Sequence, residues 1–295
     1  MYSNISAFTT ITLSKGSGRA TLQSRGTVPL PMDQIRQSIP SVFAEQKHGS
    51  RSTRYSHIPT SSILEKLAEE GFLPFAAAQG GSRDEEKQGF TKHLIRLRHA
   101  DANRLPEVGQ SISEIVLLNS HDGTSSYRMM GGQFRLICMN GLVVSDGLLR
   151  EVRIKHSGDA TGQVIQGCID ILEQMPGVSA SVKEMQALEL SLDDQLEFAR
   201  TALTLRYDDV ALSPITPQQV LVPHRAADTG HDLWTVLNRV QENLIRGGVR
   251  YLHRDTQGQG QSRRRTRAVQ GIEQNTALNR ALWQLAEDRK TLQTA

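Results

Sequence analysis

The sequence of 295 residues has only two cysteines, Cys138 and Cys168, each inside an apolar stretch and neither in a C-x-x-C pair. A disulfide framework and a structural zinc site are therefore excluded, and both thiols read as core. Long apolar runs are also lacking. Residues 114–118 and 136–144 fall far short of the roughly 20 residues that cross a bilayer. No charged region followed by an apolar stretch opens the chain, so a cytoplasmic protein without a membrane partner is expected. Nucleotide-binding loops are missing as well: Gly16-Ser17-Gly18-Arg19 has neither the P-loop lysine and hydroxyl nor the dinucleotide spacing. No D-x-D or E-x-K pattern points to a metal-dependent nuclease. No cofactor and no metal are expected.

Net charge is only +3, from 34 basic and 31 acidic side chains. The signs are nevertheless segregated along the chain. Residues 183–209 carry seven acids against three bases, whereas 239–290 carry eleven bases against five acids. The basic excess is mostly arginine, including Arg263, Arg264, Arg265 and Arg267. Arginine's planar fork matches phosphate oxygens, and such a cluster is the usual footprint of nucleic-acid binding.

Residues 1–31 are rich in Ser, Thr and Gly without sustained periodicity and read as a flexible tail or a single edge strand. A short helix is expected after Asp33, and Thr60 or Ser61 is placed to cap a helix through Glu70, with Gly71 as its stop. The period then changes to that of strands: Phe72–Gln79, Phe90–Ala100, Ser113–Asn119, Ser126–Met130, Gln133–Val144 and Arg150–His156. Consecutive strands on short turns predict an antiparallel meander. A helix ending at Pro176-Gly177 follows, then helices around 183–190, 192–205, 231–246 and 275–292. The fold class is thus α+β: an antiparallel meander sheet with flanking helices over 32–177, then a mainly helical half over 178–295. Residues 254–266, rich in Arg, Gly and Gln, read as a mobile linker.

Two constellations could carry function. Alternation puts Lys92, Arg96 and Arg98 on one face of their strand. With Arg153 and Lys155, and Arg128 or Arg135 between them, they could tile a basic sheet face, on which Tyr55, Tyr127, Phe134 or Tyr251 could stack bases of a single strand. The plainer reading makes Phe134 core and the basic residues solvating. The second constellation is the polar run Asn119, His121 and Asp122, with Asn140, a candidate functional loop at one end of the sheet. Asp122-Gly123 is first of all a hairpin signal. His93 and His99 share a strand face but lie about 20 Å apart along it, too far to hold one metal.

Several stretches carry a family resemblance. They are Lys47-His48 through Tyr55 with Ile58-Pro59-Thr60, Thr91-Lys92-His93, Leu117 through Tyr127, and Phe134-Arg135-x-x-Cys138-x-Asn140-Gly141. They resemble the YfjQ/YafZ/YubP-type proteins of enterobacterial prophages and plasmids. Asp232-Leu233-Trp234-Thr235 and Leu278-Asn279-Arg280-Ala281-Leu282-Trp283 agree, and the likeness covers nearly everything after residue 30. It implies a bacterial or phage setting and a mobile-element role, and supplies no mechanism.

The leading expectation is a DNA-binding protein of mobile elements, acting on single-stranded DNA in annealing or recombination as a homo-oligomer. The alternatives are a metal- or phosphate-handling enzyme built on Asn119, His121 and Asp122, and a host-interaction or regulatory protein acting through its acidic helices.

Overall fold

A computed structural model describes residues 10–16, 19–49, 57–102, 111–135, 141–143, 151–154, 160–254 and 261–294. The chain divides into two compact units, one of residues 1–137 with 149–175, the other of 138–148 with 176–295.

The first unit is built on an antiparallel meander. Strands β1 (Thr10–Gly16), β2 (Arg19–Arg25), β3 (Phe72–Gln79), β4 (His93–His99), β5 (Ser111–Asn119) and β6 (Tyr127–Arg135) pair in sequence order. Strand β7 (Gly141–Val143) belongs to the second unit, where it runs beside the last helix. Strand β8 (Val152–Ile154) pairs antiparallel with β6. The expected tail thus supplies two strands of the sheet. Ala20 and Leu22, two residues apart on β2, point to one face and are buried, and this period-2 pair seats the hairpin on β3.

Helices α1 (Met32–Ser38) and α2 (Thr60–Glu69) bury Ile35, Ile63, Leu64 and Leu67. Helix α3 (Ala160–Ala187) places Val164, Cys168 and Ile171 inward. A Cβ built on Gly167 would meet Met129 Cε at 2.6 Å and Val152 Cγ1 at 3.1 Å, so this glycine lets α3 lie close on β6 and β8. A stop at Pro176-Gly177 was expected. Instead, α3 continues through Pro176 for a further eleven residues, to Ala187.

The second unit holds α4 (Leu192–Tyr207), α5 (Pro217–Val220), α6 (Leu233–Ile245), the hairpin β9 (Arg250–Arg254) and β10 (Gln261–Arg265), and α7 (Ile272–Thr294). Ser191 and Thr216 close capping boxes on α4 and α5. Helix α6 is buried on nearly every side rather than along one stripe. Its polar side chains are bonded there: Glu242 to Arg225, Arg239 to Gln195, and Asn243 to the Val220 carbonyl. Part of the expected mobile linker is strand β10, because Arg264 and Arg265 find Tyr251 and Arg250 across the ladder.

Candidate nucleic-acid interface

The basic sheet face expected from the alternation is absent. Leu97 pairs with Ile115, so Arg96, Arg98 and Glu114 fall together on the opposite face, and all three are buried. Arg98 Nε donates to Glu114 Oε1 at 2.6 Å, and Arg96 Nε donates to the other carboxylate oxygen. Arg98 also donates to the Gly26 carbonyl at 2.7 Å and lies 4.0 Å from the centre of the Phe75 ring. Burial would raise the Glu114 carboxyl, but the two guanidiniums outweigh it and hold the group below its ordinary value. Burial lowers the Arg98 pKa, with Glu114 opposing. These arginines neutralise an internal carboxylate and present no charge to phosphate, which corrects the expectation for both.

Other members of the expected face are scattered. Arg128 and Arg153 face each other across β6 and β8 with Glu151 between them, at 3.8 Å and 2.5 Å. Lys92 is half-buried and faces Asp122 electrostatically. Arg135 ends β6, its side chain outside the described residues, as are Lys155 and Tyr55. Tyr127 is fully buried and offers no ring to a base.

The polar loop is likewise redistributed. Asn119 and His121 turn inward to Thr60, which was expected to cap α2. Pro59 holds the cap position, and the Thr60 hydroxyl points into a buried knot. His93 Nδ1 lies 3.1 Å from the Thr91 carbonyl, so this nitrogen carries a hydrogen and, in the neutral ring, Nε2 accepts. The Thr60 hydroxyl therefore donates to His93 Nε2 at 2.9 Å. It accepts from Asn119 Nδ2 at 3.0 Å and from His121 Nε2 at 3.2 Å. Tyr127 donates to the Ile58 carbonyl at 2.7 Å. One donor and two acceptor positions exhaust a hydroxyl, so Thr60 is saturated from within and holds structure rather than substrate.

His57 packs edge-on to His121, its pKa lowered mainly by burial. Asp122 turns the other way, accepting from the Thr124 backbone and hydroxyl to set the turn at Gly123, whose φ is +76°. Asn140 lies outside the described residues. Among the described residues no three His, Cys, Asp or Glu side chains could hold a metal. Burial pushes the Cys168 thiol up to about 12, which removes it as a nucleophile.

Unpaired positive charge collects in the second unit instead. A cleft of about 600 Å³ is lined by Arg206 and Tyr207 from the end of α4, Tyr251 from β9, Arg264 and Arg265 from β10, and Arg267, with Pro214 and Thr266 at its wall. No carboxylate lines it among the described residues. The Arg206 guanidinium is 5.2 Å from the Tyr207 ring centre and donates from Nη2 to the Arg267 carbonyl at 2.5 Å. Its Nη1 is buried without a hydrogen-bond partner among the described residues. Burial lowers the Arg206 pKa and raises that of Tyr207. Arg263, Arg264, Arg265 and Arg267 are exposed, and no ion pair engages them among the described residues. Elsewhere in this unit, by contrast, Arg225, Arg246 and Arg289 are each held by carboxylates.

The backbone that carries these arginines is closely fixed. Gly248 N donates to the Thr266 carbonyl, and Val249 N to the Thr266 hydroxyl. Gly247 has φ +68°, and a Cβ there would lie 2.7 Å from the Arg267 carbonyl carbon. The composition of the 254–266 segment signalled the charge, but not Arg206 or Tyr207, which precede the segment in the chain beside the acidic Asp208 and Asp209.

The fold and this cleft define an α+β protein with a meander unit and a helical unit that bears a cleft lined by arginines and tyrosines. No helix among the described residues is long and apolar enough to cross a membrane. Residues 47–283 match the domain of unknown function DUF932, and the chain belongs to that family. It is similar to the UPF0380 proteins YfjQ and YafZ of Escherichia coli (strain K12), each 45% identical over 259 residues covering 88% of this chain and 91% of the relative. No solved structure matches.

Proposed function

We propose that the protein binds nucleic acid, with single-stranded DNA as the leading ligand, through the cleft bounded by Arg206, Tyr251, Arg264 and Arg267. The observation that carries this reading is a cleft lined by four arginines and two tyrosines, with no carboxylate among the described residues. Guanidiniums neutralise backbone phosphates, and tyrosine rings stack on unpaired bases irrespective of sequence. Resemblance to prophage and plasmid proteins directs the reading towards annealing or recombination in a mobile element. The basic footprint is the C-terminal hairpin, not the sheet.

Fluorescence anisotropy with labelled single-stranded DNA tests this. Binding should weaken as salt rises, and the double variant Arg264→Gln/Arg265→Gln should flatten the log–log salt slope by about 1.4, from roughly 0.7 per lost phosphate contact on a single strand. Absence of binding at about 50 mM salt, or a slope unchanged in the variant, would refute it. Mass photometry on the same mixtures reports whether copies assemble on the strand.

A further inference from the structure

We infer that the cleft receives the phosphorylated end of a single strand, a phosphomonoester with its adjoining base, rather than an internal run of phosphodiesters. This rests on the nucleic-acid reading above. A volume of about 600 Å³ corresponds to a globe roughly 10 Å across, the scale of a phosphate with its adjoining nucleoside and within the range of small-molecule pockets. Arg206, Arg264, Arg265 and Arg267 line that small space, and no carboxylate does so among the described residues. An internal diester brings one negative charge and two free oxygens. A terminal phosphate brings a charge of about −1.5 to −2 and three acceptor oxygens, a better match to several forked donors at once.

Two further observations favour this ligand. Arg206 Nη1 is buried with no acceptor among the described residues, and a phosphate oxygen would supply one. Tyr251 shares a hairpin face with Arg264, its cross-strand partner, so one side of the hairpin presents a ring beside a guanidinium. A base next to the terminal phosphate can lie against that ring.

The experiment compares four labelled single-stranded DNAs of one sequence: 5′-phosphorylated, 3′-phosphorylated, hydroxyl at both ends, and circular. The full chain is titrated by anisotropy at fixed salt. One phosphorylated form should bind at least tenfold tighter than the hydroxyl-ended strand, and which of the two does so identifies the end. Arg264→Gln, at an exposed position, should erase that preference while leaving weaker binding to all four. If circular and hydroxyl-ended DNA bind as tightly as both phosphorylated forms, with the same loss in Arg264→Gln, the end-specific inference falls and the nucleic-acid reading stands. If none of the four binds, both fall.

Discussion

The buried triad of Glu114 with Arg96 and Arg98 makes a prediction that separates structural arginines from ligand-binding ones. Glu114→Gln keeps the side-chain shape but leaves two guanidiniums facing each other in a buried site with no counter-charge. Removing one partner of a buried pair costs about 3–5 kcal/mol, because the charge left behind is uncompensated. For a unit of this size that amounts to a fall in melting temperature of roughly 6–20 °C. Arg98→Gln should cost less, since Arg96 still neutralises the carboxylate, and its loss is that of the bond to the Gly26 carbonyl and the contact with the Phe75 ring.

The pH dependence has a defined sign. The folded pKa of Glu114 lies below its ordinary 4.5. Its stabilisation is therefore present above that value and is lost as pH falls through the folded pKa. Urea unfolding followed from neutral to acid pH should show a larger loss in the parent than in Glu114→Gln, which keeps only the share of other carboxylates such as Asp122 and Glu242. Stability of Glu114→Gln within about 1 kcal/mol of the parent would refute the reasoning. So would a drop in DNA affinity for folded Arg98→Gln as large as that for Arg264→Gln.

Two other substitutions test how the remaining sites are built. Gly247→Ala forces a Cβ against the Arg267 backbone at a positive φ. It should cost about 1–3 kcal/mol and weaken DNA binding beyond what partial unfolding explains, read by anisotropy under conditions where circular dichroism shows the variant folded. Thr60→Val removes the acceptor for Asn119 and His121 and the donor to His93 at nearly constant volume. A loss of about 2–4 kcal/mol is expected from the buried groups left unpaired. DNA affinity should be unchanged, and a stable Thr60→Val with altered binding would place function in the knot after all.

Much of the fold was legible because the meander obeys local rules. Phe72–Gln79 has the bounds read from its apolar run, the Asp122-Gly123 turn forms as its dipeptide predicts, and Thr216-Pro217 starts a helix. The β1–β2 hairpin was hidden by its Ser and Thr content, since only Ala20 and Leu22 mark its inner face and their value depends on β3, some fifty residues away. Pro176 reads as a stop by local propensity, yet α3 runs through it. The histidine and threonine knot was illegible for another reason. Thr60, His93 and His121 are brought together by strand register and helix placement, and a threonine at the start of a helical pattern is more simply read as a cap.

Arginine content alone could not locate the anion site, because position relative to a carboxylate decides what a guanidinium can do. Arg98 and Arg264 are equivalent in composition and both lie on strands. Across the sheet from Arg98, register brings Glu114 into contact, and burial then makes the pair internal. Across the ladder from Arg264 stands Tyr251, and beside it Arg265 faces Arg250, a like-charge opposition that costs up to about 1 kcal/mol. That cost has no compensating carboxylate among the described residues. The fold neutralises Arg225, Arg246 and Arg289 with nearby acids, whereas the arginines lining the cleft have no carboxylate beside them among the described residues, which is the contrast that motivates the proposed phosphate ligand. The small net charge of the whole chain is therefore no guide to where its charge lies, since buried pairs such as Arg98 with Glu114 and exposed arginines such as Arg264 count alike in the sum.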